Sequence, residues 1–61
     1  MTLETANTVK NSAGTLYKDI ETSKLAIMVN TMLKTPGLDD DHKHKMDAAR
    51  TVLHFRTHPT Q

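Results

Sequence analysis

The run His42-Lys43-His44-Lys45 is the densest collection of groups able to move a proton or hold a metal. On a helix, residues two apart point to different sides, so His42 and His44 do not share an ion. Asp40 with His44, and His44 with Asp47, have the spacing of neighbours on one helix face. His54 and His58 repeat that spacing beside Pro59, which ends a helix. None of these pairs belongs to a His-Glu-x-x-His or cysteine-based pattern. A solvated face with local ion pairs, each worth about 0.3 kcal/mol, accounts for them, and no metal or other cofactor is expected.

Nucleophilic or acid–base catalysis finds equally little to work with. Asp39, Asp40 and Asp41 are an acidic cluster, but one that the start of a helix explains. Ser12, Ser23, Tyr17 and the histidines form a nucleophile–base set only through contacts the spacing does not supply. The chain has no glycine-rich phosphate loop, and a two-helix protein has little room for a pocket. No enzyme is expected.

The cations make a more specific case. From Lys43 onward the chain carries Lys43, Lys45, Arg50 and Arg56 against the single acid Asp47. Doubled in a dimer, these four line a face able to meet phosphates, which makes nucleic-acid binding the alternative reading. Two features weigh against it: the aspartates open the same helix, and the turn before it is longer than that of a DNA-reading helix-turn-helix.

These groups must be placed by a chain of 61 residues with formal net charge +1 and no cysteine. That length allows one domain. Disulfides are excluded, and a core this size seldom supplies more than about 3–5 kcal/mol. Aromatic content is 3%, from Tyr17 and Phe55 alone, so the side chains that bury most area are scarce. Association is the remaining route to stability. The unbroken apolar run Leu25–Val29 is far short of a bilayer span. Met28 and Met32 lack the flanking run of cations or the Trp of a membrane-surface helix, so no membrane partner is expected. The N-terminus reads as no signal peptide, and with the lack of cysteine this gives a cytoplasmic expectation.

The clearest punctuation is Thr35-Pro36-Gly37-Leu38-Asp39. Pro36 disfavours helix at Thr35, Gly37 accommodates the turn, and Asp39 caps a second helix predicted over 40–57. Residues 35–39 are the turn and 58–61 a tail. A first helix is predicted over 15–34, ending on Lys34 at its carbonyl end. Residues 1–14 are rich in Asn, Thr and Ser, the composition of a tail. Yet Leu3, Ala6, Val9 and Ala13 recur at helical spacing, with Thr2 able to cap them. The segment is therefore either a tail or an N-terminal helical extension.

Two helices of similar length joined by a short turn predict an all-α fold, an antiparallel αα-hairpin. The first helix has too many apolar faces for a lone hairpin. Leu16, Ile20 and Ile27 lie on one side, while Leu25, Met28, Val29, Met32 and Leu33 wrap the other. The second helix has one stripe in Met46, Ala49 and Leu53 and another in Ala48, Val52 and Phe55. One face packs within the hairpin and the other across a two-fold axis, giving a homodimeric four-helix bundle. The predicted dimer or partner interface is Leu16, Ile20, Leu25, Ile27, Met28, Met32, Ala49, Val52, Leu53 and Phe55, with Met46 in the same core. On this reading Ile27→Asp breaks the dimer and unfolds the chain together. The expected function is a small non-enzymatic adaptor or regulatory protein that pairs with itself and binds an unidentified protein.

Overall fold

The computed structural model describes residues 1–58 and is all-α, with three helices in place of the two expected: α1 (Leu3–Ala6), α2 (Thr22–Lys34) and α3 (Asp40–Thr57). A short 3-10 turn, Tyr17–Asp19, precedes α2.

The predicted second helix is found with its bounds as expected. Asp39 is in extended geometry and its carboxylate accepts the His42 backbone N–H at 2.9 Å, with Asp40 and Asp41 in the first turn. Thr35, before Pro36, is extended, and Gly37 has φ 70. At the far end the His58 N–H donates to the His54 carbonyl at 2.8 Å. Pro59, expected to stop the helix, and the rest of the predicted tail lie outside the described residues.

The predicted first helix is corrected at its start. Residues 15–21 are not α-helical: Leu16, Ile20 and Glu21 are extended, and α2 begins at Thr22. The cause is the pair of opposed apolar faces. In an unbroken helix Ile20 would stand roughly 140° from Leu25, on the far side from Leu25 and Val29. A break at Ile20–Glu21 lets Tyr17 and Ile20 turn into the same core as Leu25 and Val29, and all four are buried together. Ile27 is the member of the first face that stays outside.

Residues 1–14 are neither a frayed tail nor a continuous helix. Thr2 does cap: its hydroxyl accepts the Thr5 N–H at 3.2 Å. After one turn the poor helix formers Asn7 and Thr8 end α1. The chain then reverses through Asn11-Ser12-Ala13-Gly14. The Asn11 side-chain oxygen accepts from the N–H groups of Ala13 (3.0 Å) and Thr15 (2.9 Å), and Gly14 has φ 83. Such side-chain turns compete with helix for the same backbone groups. A single antiparallel bridge, Lys10 to Leu16, closes the loop. Of the supposed stripe, Ala6 is buried, Leu3 and Val9 are half-buried, and Ala13 is exposed.

α3 is thus covered on two sides, by α2 and by the N-terminal segment with its 3-10 turn. Ala48 and Val52, read as part of a second apolar face on that helix, are buried in the core shared with Ala6, and Leu3 lines the same cleft as Val52 and Phe55. Among the described residues, no helix is long and apolar enough to cross a membrane.

Candidate functional site

The predicted interface residues separate into three groups. Ile20, Leu25, Ala49 and Val52 are buried within the single chain, so they form its own core and are not available to a partner. Leu16, Met28, Met32, Met46 and Leu53 are half-buried. Only Ile27, 67% exposed, and Phe55, 38%, present a free apolar surface, and Leu33, outside the predicted set, joins them at 56%. The signal for Leu33 was its place four residues after Val29, at the edge of the buried stripe. Tyr17 and Ala6 also went unassigned to the core. Their burial depends on the fold-back of the first residues, which helical periodicity does not describe.

The four cations are not brought together. Arg56 turns inward: its guanidinium donates to the Lys18 carbonyl at 2.7 Å, to the Ile20 carbonyl, and more loosely to Thr22 Oγ1 at 3.5 Å. The carbonyls it holds flank the break before α2, where helical bonding is interrupted. It also ties the end of α3 to the start of α2. Lys45 pairs with Asp41 at 2.9 Å, its side chain 21% exposed. The Asp41 hydrogen bond raises the Lys45 pKa above its ordinary value, against a smaller opposing effect of burial. Lys43 and Arg50 are exposed. They stand two turns apart on one side of α3, where Asp40 and Asp47 are also exposed.

Two clefts flank these groups. One, of about 500 Å³, runs along the outer side of α3 past Arg50, Leu53, His54 and Phe55. The Met1 amine pairs with Asp47 at its edge, at 3.2 Å. The other, of about 360 Å³, lies between the Asn11–Ala13 turn, Tyr17, Met28 and Met32 of α2, and His42 and Lys45 of α3. Burial raises the Tyr17 pKa, Lys45 partly offsets that rise, and Asp41 adds to it.

His42 is held at the rim of the second cleft. Its Nδ1 lies 2.7 Å from the same Asp39 oxygen that accepts its backbone N–H. That backbone bond, followed by the side-chain bond, lowers the Asp39 pKa below its ordinary value of 3.8. A lowered folded-state pKa means the cap's stabilisation is complete above the ordinary value and is lost as pH falls through the lowered one. Asp39→Ala is therefore expected to melt below wild type at neutral pH, with the two curves converging at strongly acid pH. Circular dichroism melts across that range check this, and a pH-independent gap would show that the carboxylate charge is irrelevant.

Of the histidine pairs, His54 and His58 stack their rings, with centroids 4.6 Å apart. Among the described residues, no three His, Cys, Asp or Glu side chains converge on one point. Comparison of the chain with protein-family models, with curated proteins and with solved structures found no match.

Proposed function

We propose that this chain is a small non-enzymatic adaptor or regulator that works as a homodimer and engages another protein through a helical face. In the dimer, two antiparallel α2–α3 pairs form a four-helix bundle. The observation that carries the reading is the outer side of α2. There Ile27 and Leu33 stand largely exposed, with Ala26 and Asn30 exposed between them. That strip consists of Ala26, Ile27, Leu33 and the neutral amide of Asn30, with a charge only at its end in Lys34, so a second helix can approach it closely. The core beneath is thin: of the buried residues, Ala6, Ala48 and Ala49 contribute little area, and a chain of this size gains from further burial. The fold-back of the first residues narrows the interface. It moves from both helices to α2, with Phe55 left for the partner protein.

The nucleic-acid reading is weaker on this structure, because it now rests on Lys43 and Arg50. Lys45 and Arg56 are occupied within the chain.

Light scattering on the purified chain at micromolar concentration tests the proposal. The expected mass is that of a dimer. Ile27→Asp, which would place an unpaired carboxylate in the interface, is expected to weaken association on the order of a hundredfold. Because Ile27 is exposed in the single chain, its helical circular dichroism is expected to survive. This replaces the sequence-based expectation of joint dissociation and unfolding. A wild-type monomer that melts cooperatively at that concentration would overturn the reading.

A further inference from the structure

The cleft beside Tyr17 collects two thioethers and an imidazole. Met28 and Met32 are one turn apart on the same side of α2, and both line it; His42 reaches it from the first turn of α3. Two thioether sulfurs and an imidazole nitrogen are neutral donors, and thioethers select soft metal ions. Hard cations prefer carboxylate and carbonyl oxygen. The carboxylates nearby are engaged behind the donors, Asp39 with His42 and Asp41 with Lys45.

The Asp39–His42 contact gives the imidazole a definite role. A carboxylate accepts only, so the 2.7 Å contact at Nδ1 places the ring proton there. In the neutral ring Nε2 then keeps its lone pair. A carboxylate behind a histidine in this way fixes its tautomer and orientation for a metal. The methionines need no backbone shift to respond, since their unbranched side chains readily change rotamer. Lys45, also on the cleft, opposes a highly charged ion, and its pairing with Asp41 softens that opposition for a singly charged one.

We propose that this cleft binds one soft monovalent cation, Cu(I), through Met28 Sδ, Met32 Sδ and His42 Nε2, with Asp39 positioning the imidazole. The site is independent of the dimer reading, because it is built within one chain from α2, α3 and the residues that cover them.

Silver(I), added as its nitrate in chloride-free buffer at neutral pH, serves as the redox-inert probe. Titration into the full chain is followed by calorimetry and by the methionine ε-methyl signals in NMR. The expected result is one equivalent bound, with the Met28 and Met32 methyls shifting and those of Met1 and Met46 unmoved. The double variant Met28→Leu, Met32→Leu keeps side-chain volume and is expected to lose that equivalent. Asp39→Asn retains a capping side chain and is expected to bind about tenfold more weakly. No methyl shift at one equivalent would overturn the site, as would equal shifts at Met1 and Met46. Undiminished affinity in a folded double variant would do the same. Should that variant fail to fold, the wild-type methyl pattern decides.

Discussion

Leu25→Ala is expected to leave the chain largely unfolded at room temperature. Leu25 is the large side chain that is completely buried, with Tyr17, Ile20, Val29 and Val52 packed in the same core. Removing a buried leucine side chain costs about 3–5 kcal/mol, through lost burial and the cavity left behind. The whole chain is expected to hold about that much stability. The prediction is therefore loss of the folded baseline, seen by circular dichroism, and not a modest shift in melting temperature. Leu33→Ala, the same change on the exposed edge of α2, serves as the control; measured at a concentration dilute enough to keep the chain monomeric, it is expected to alter stability by less than about 0.5 kcal/mol. Similar melts for the two variants would mean that the inward and outward faces of α2 are wrongly assigned.

Arg56→Met should cost about 2–3 kcal/mol, more than any ordinary surface cation. The apolar stem is largely kept, so the loss comes from the Lys18 and Ile20 carbonyls, which no longer have their charged donor. Arg56→Lys is expected to recover little, because an ammonium lacks the planar fork that serves neighbouring carbonyls together. Hydrogen exchange gives the distinguishing readout. The Ile20 amide, bonded to the Tyr17 carbonyl, is expected to lose protection in both variants before amides in the middle of α3 do. If the two variants match wild type in stability and exchange, Arg56 is merely solvated and the start of α2 is held by something else.

The second helix was legible because its signals are local. Pro36, Gly37 and Asp39 act within a few residues: Thr35 before the proline is extended, Gly37 has positive φ, and Asp39 caps α3. The first half was misread because its decisive contacts are distant. Leu16 and Ile20 share a helical face on paper, but the chain gives up that helix to bring Ile20 into the core. The Asn, Thr and Ser composition before Gly14 read as a tail, and the spacing of Leu3, Ala6, Val9 and Ala13 read as a helix; the turn chemistry of Asn11 and Gly14 overrides both.

The basic residues carry a sharper lesson. Lys45 and Arg56 continue the buried stripe of Ala48, Ala49 and Val52 along α3, and that register identifies them as inward anchors. Counting them with Lys43 and Arg50 by charge alone hid this. The cleft formed by Met28, Met32 and His42 could not be read from spacing along one helix, since it joins residues of α2 and α3 through the turn between them.

The bond from Arg56 to the Lys18 carbonyl spans 38 positions of a short chain. It also decides when the fold can be completed during synthesis. The first residues leave the ribosome well before Arg56 does, and until then the carbonyls around Ile20 lack the group that holds them. α2 and α3 are neighbours in sequence and can pair as they emerge, whereas the segment that covers α3 must wait for that helix's last turn. The segment that covers α3 is therefore secured only once α3 itself has been made, although it precedes that helix in the chain.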